Sequence, residues 1–70
     1  MKEKELKKKI AENLRIFRAK SKISQEILAE NAGISAKYLT KIENEKANPS
    51  ILVILKLASA LNITVNDIIY

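Results

Sequence analysis

Seventy residues make one domain near the size at which an apolar core holds unaided, since so short a chain buries only about 60% of its unfolded surface. With no Cys and no His, the chain lacks disulfides, soft metal ligands, a thiol nucleophile and the commonest general base, so no catalytic residue, metal site or cofactor is expected. The net charge of +5 is loaded at the front: residues 1–22 hold nine Lys/Arg against three Glu (+6), residues 23–46 three against four (−1), and residues 47–70 only Lys56 against Asp67 (0). Such a balance suits a polyanionic partner, and equally a solvated lysine-rich helix end.

The opening MKEKELKKKI is basic but leads into no apolar run, and the longest unbroken apolar stretch, Ile51 to Leu55, is far below the ~20 residues of a membrane span. A soluble cytoplasmic protein with no membrane partner is expected. Leu6, Ile10, Leu14 and Phe17, spaced by four, four and three, mark one face of a first helix from about Glu5 to Lys20. Ser24 caps a second helix that ends near Asn31 with Leu28 and Ala29 inward. Gly33, the only glycine, takes positive φ cheaply and lets the chain reverse. Ser35 caps a third helix running to about Asn44, with Leu39 and Ile42 inward. Pro49 stops helix in the following polar loop, Ser50 restarts it, and a fourth helix runs from Ile51 to about Leu61. Asn62 suits a left-handed C-cap, and Thr64-Val65-Asn66-Asp67 matches a capping box opening a last short helix. The expectation is an all-α, five-helix domain over 1–70, with a basic extension and helix start at 1–9, a helix-turn-helix at 24–44, and the last two helices at 50–70.

Helix-turn-helix units lay their second helix in the DNA major groove, so the outward face of the third helix decides the function. At about 100° per residue from Ala36, Thr40 lies near 40°, Asn44 near 80°, Lys37 near 100° and Lys41 near 140°. Tyr38, Ile42 and Leu39 fall near 200°, 240° and 300°, on the other side. Lys37 also sits in the first turn, where the helix dipole disfavours a cation by about 0.3–1 kcal/mol. A cation held there at a cost suggests an anion or a guanine edge facing it.

These residues carry a family resemblance. From Ile10 to Ile69 the chain resembles the Cro/C1-type helix-turn-helix regulators, the XRE family, on Leu14-Arg15…Phe17-Arg18, Ser24-Gln25-Glu26…Leu28-Ala29, Ala32-Gly33-Ile34-Ser35, Tyr38-Leu39…Ile42-Glu43-Asn44, Asn48-Pro49-Ser50 and Leu57-Ala58…Ala60-Leu61. The resemblance implies a compact lambda-repressor-like five-helix domain that binds operator DNA, usually as a two-fold dimer. It places Ala36, Lys37, Thr40 and Lys41 at base-reading positions. Lysine donates to guanine O6 and N7, and the alanine and threonine methyls suit a thymine methyl. It places Gln25, Asn44 and Lys46 at phosphate-contacting positions, with Gln25 also bracing the reading helix, and pairs Arg18 with Glu43 as a structural salt bridge.

Lys22, Glu45 and Asn62 stand where the family often has glycine; asparagine tolerates left-handed geometry, whereas Lys22 and Glu45 are expected to alter their turns. Ile16, Ile27, Leu52 and Leu55 stand where the family is often polar. Leu52 and Leu55, one turn apart, are expected to join Ile69 and Tyr70 in a homodimer interface. The resulting expectation is a transcriptional regulator, most simply a repressor on an inverted-repeat operator. Alternatives are a restriction-modification controller that activates or represses, and an antitoxin-like protein-binding module. The basic front end is either an arm along the DNA or a frayed terminus.

Overall fold

The computed structural model describes residues 2–70, so Met1, the first residue of the basic extension, lies outside the described residues. The chain forms α1 (Glu3–Ser21), α2 (Gln25–Ala32), α3 (Ala36–Glu43), α4 (Ile51–Leu61) and α5 (Val65–Ile69). The expected all-α, five-helix architecture is what the chain adopts, and there is no strand among the described residues. None of these helices is long and apolar enough to cross a membrane.

Local chemistry sets the helix starts. The side-chain oxygens of Ser24, Ser35 and Ser50 accept from the backbone N–H of Ile27, Tyr38 and Val53, at 3.2, 3.0 and 3.2 Å. Thr64 Oγ1 accepts from Asp67 N at 3.2 Å, while Asp67 Oδ2 accepts from Thr64 N at 2.9 Å, which completes the capping box. Helix α1 begins at Glu3, ahead of the apolar spacing. Glu3 and Glu5 complement the dipole of its first turn, and Glu3 Oε1 accepts from Asn48 Nδ2 at 3.1 Å, which ties the basic front end to the loop after α3.

Three residues other than glycine take positive φ among the described residues. Lys22 and Glu45, expected to alter their turns, are both left-handed, with φ of 57° and 63°, beside 72° at Gly33 and 58° at Asn62. Backbone bonds at the helix ends accompany this geometry. The N–H groups of Lys22 and Ile23 close the end of α1 on Ala19 O and Arg18 O, and Ile23 then packs against the core. A side chain in this region costs about 1–2 kcal/mol, and glycine gives part of that back through its looser unfolded state. Lys22→Gly is therefore expected to stabilise the protein by about 0.5–1 kcal/mol and raise Tm by about 2–6 °C. A melt in which Tm stayed the same or fell would show that the turn carries no strain.

One core joins all five helices. Ile10 and Leu14 of α1, Leu28 and Ala29 of α2, Leu39 and Ile42 of α3, Leu57 of α4 and Ile68 of α5 are each buried to 2% exposure or less. Helix α1 lies against α3 and α5, α2 against α3 and α4, and α5 closes onto α4. Asn13 Nδ2 donates to Ile68 O at 2.7 Å, pinning the last helix to the first. The arrangement gathers α2 and α3 at one side of the molecule, braced from behind by α1.

Candidate nucleic-acid interface

Helix α3 is two-faced. Leu39, Ile42 and Glu43 are buried, whereas Lys37, Lys41 and Asn44, spaced by four and three, are exposed along one stripe. Ala36 and Thr40 are half-buried at the edge of that stripe. Lys46 is exposed just beyond the helix, its N–H donating to Lys41 O at 2.8 Å. Among the described residues none of Lys37, Lys41 and Lys46 is in an ion pair, so all three cations are open to an anion from outside.

Behind the stripe lies a polar cluster centred on Glu43, which is 1% exposed. Arg18 of α1 grips its carboxylate with two parallel bonds, Nε to Oε2 at 3.0 Å and Nη2 to Oε1 at 3.1 Å, and its Nη1 donates to Ile23 O at 3.2 Å. Gln25 Nε2 donates to the same Oε1 at 2.9 Å, and Gln25 Oε1 accepts from the Thr40 hydroxyl at 3.0 Å. The chain of bonds therefore runs from α1 through Glu43 to the first turn of α2 and back to α3. No described side-chain N or O is buried without a partner, so the cluster is fully satisfied.

The sequence reading missed part of this. The Arg15 guanidinium donates to the carbonyl oxygen of Glu43, a second brace from α1 onto the end of α3. Its signal was the spacing from Arg18, since residues three apart share a helix face. Gln25 was expected to brace the reading helix, but which atoms it would engage was not legible.

The family model described as Helix-turn-helix (HTH_3) matches residues 14–68. The chain belongs to this helix-turn-helix family. Its relatives include the control protein C.SmaI of Serratia marcescens, 36% identical over 61 residues that cover 87% of this chain and 73% of that protein. The immunity repressor of Bacillus phage phi105 is 35% identical over 60 residues, which cover 86% of this chain and 42% of the repressor. Among solved structures, the restriction-modification controller protein C.AhdI from Aeromonas hydrophila superposes with a TM-score of 0.86 at 35% identity, covering 89% of this chain and 94% of that one.

In this helix-turn-helix protein large apolar side chains are exposed on α4 and at the C-terminal residue. Leu52 and Leu55 on α4 are 58% and 49% exposed, and Tyr70 is 74% exposed. Ile69, expected to join them, is half-buried and packs against the core. Ile51, which the sequence reading left out, is 62% exposed on the same helix. Ile16 and Ile27 are also exposed.

Proposed function

We propose that this DNA-binding helix-turn-helix regulator works as a homodimer on an inverted-repeat operator, with the exposed stripe of α3 in the major groove. The observation that carries the proposal is the division of α3 itself. Its apolar residues and Glu43 face the core, while Lys37, Lys41 and Asn44 face solvent with no internal partner. Ala36, Lys37 and Lys41 are the base-reading residues with Thr40 beside them, and Gln25, Asn44 and Lys46 hold phosphates, which fix register without reading sequence. Arg18 and Glu43 brace the fold. A dyad places the two copies of α3 in successive major grooves about 34 Å apart, which makes the target an inverted repeat. Selection of bound fragments from random duplex DNA tests this directly; recovery of inverted repeats supports it, and recovery of no common sequence overturns it.

The exposed apolar residues Ile51, Leu52, Leu55 and Tyr70 supply the dimer surface, with Ile69 at its edge. Burying two copies relieves the small core of a short chain by coupling folding to association. Sedimentation equilibrium at micromolar concentration is expected to give a dimer for the natural sequence and a folded monomer for Leu55→Asp. A strictly monomeric natural protein would remove this interface. With no catalytic group engaged in the proposed mechanism, control follows from protein concentration and site occupancy, and repression by blocking polymerase is the default.

The similarity to C.AhdI and C.SmaI favours a second reading, a controller that activates or represses from adjacent sites. Both readings share the same DNA-bound geometry and differ in where the operator lies relative to a promoter. The action is inside the cell in either case.

A further inference from the structure

We infer that the Thr40 hydroxyl positions Gln25 and does not donate to a base, an inference that rests on the assignment of α3 to the groove. The Glu43 carboxylate sets the orientation of the amide. An ionised carboxylate only accepts, so the Gln25 carboxamide must turn its NH2 group toward Glu43 Oε1, 2.9 Å away. That leaves the Gln25 carbonyl oxygen facing Thr40 Oγ1 at 3.0 Å, and a carbonyl also only accepts. The Thr40 hydroxyl therefore has to donate.

It has one proton and two acceptors at equal distance, Gln25 Oε1 and Ala36 O, both 3.0 Å away. Shared between the two in a three-centre bond, the proton is spent inside the protein, and none is left to donate to a base. The carboxamide is held at both ends: Glu43 grips one N–H, Thr40 grips the oxygen, and the second N–H of Nε2 has no partner among the described residues. Gln25 is the first residue of α2, where N–H groups and the helix dipole already favour a phosphate. Fixing the amide plane aims that remaining N–H without further loss of side-chain freedom on binding, which is how preorganisation raises affinity. The side chains left to donate to base edges are then Lys37 and Lys41, and the Thr40 hydroxyl acts through its neighbour on all sequences alike.

Thr40→Val removes the hydroxyl and keeps the branched shape. Titration of Thr40→Val, Gln25→Ala and the double variant against the duplexes selected by the natural protein, and against an unrelated duplex, separates the roles. Thr40→Val is expected to weaken every duplex about threefold to tenfold, the scale of one hydrogen bond. Base preference stays unchanged, Thr40→Ser recovers most of the loss, and the double variant binds no more weakly than Gln25→Ala alone. A changed base preference, or additive losses in the double variant, would overturn the inference. In the free protein, NMR relaxation of the Gln25 side-chain amide is expected to report a rigid group in the natural sequence and a mobile one in Thr40→Val. That second readout needs no DNA. Should the natural protein select no sequence, the functional reading falls while the amide signal still decides whether Thr40 holds Gln25; an amide indifferent to Thr40→Val would sink the positioning role by itself.

Discussion

Arg18→Met is expected to destabilise the protein by about 3–5 kcal/mol, the cost of leaving a buried carboxylate without its cation. Glu43 is 1% exposed and takes two of its three side-chain hydrogen bonds from Arg18. Gln25 supplies the third, and a neutral amide cannot replace a guanidinium. Typical stability of about 0.05–0.15 kcal/mol per residue makes a loss of this size comparable with the whole folding free energy of so short a chain. Urea unfolding followed by helix circular dichroism measures it. Because the penalty belongs to the stranded charge and not to the loss of the pair, Arg18→Met combined with Glu43→Leu is expected to recover most of the loss. A single variant that lost less than about 1 kcal/mol would show that the carboxylate finds water or another partner.

Lys37→Ala is expected to relax base preference at one or two operator positions and to weaken specific binding by about 1–3 kcal/mol. Lys46→Ala, beyond the end of the helix, is expected to weaken all sequences similarly and to reduce the salt dependence of binding by about one counterion. The contrast between the two is the informative part. Lys37 lies in the first turn of α3, which carries no acidic residue, so removing its charge leaves the free protein as stable as before or more stable by up to about 1 kcal/mol. Weaker DNA binding alongside undiminished stability marks a residue kept for its contacts outside the protein. Gel-shift titrations at several salt concentrations, paired with thermal melts, give both numbers. If Lys37→Ala left affinity and base preference untouched, α3 would not read DNA through that stripe.

Much of the architecture was legible in the chain because short-range chemistry writes it there. Ser24, Ser35, Ser50 and Thr64 each sit one residue before a helix and each caps it, and the spacing of apolar residues separates the faces of α1 and α3. The start of α1 was misjudged because apolar spacing is silent on a turn whose residues are all charged; Glu3 is held there by Asn48, from a distant part of the chain. Lys22 and Glu45 show the limit of local preference in another way. Their intrinsic preference opposes φ values of 57° and 63°, yet each turn closes its helix through local backbone bonds, from Lys22 and Ile23 to Ala19 O and Arg18 O and from Glu45 and Lys46 to Ile42 O and Lys41 O.

The sequence by itself determined the helices, their caps, the two-sided character of α3 and the family, because each depends on residues within a few positions of one another or on a pattern of residue types. Tertiary structure alone decided how the polar side chains are spent. Whether Thr40 offers its hydroxyl outward or to Gln25, whether Glu43 is shared between Arg18 and Gln25, and whether Arg15 reaches the end of α3 all turn on atoms that are neighbours only after three helices have packed. A hydrogen bond is settled within a few tenths of an ångström, and no spacing rule along a chain carries that precision.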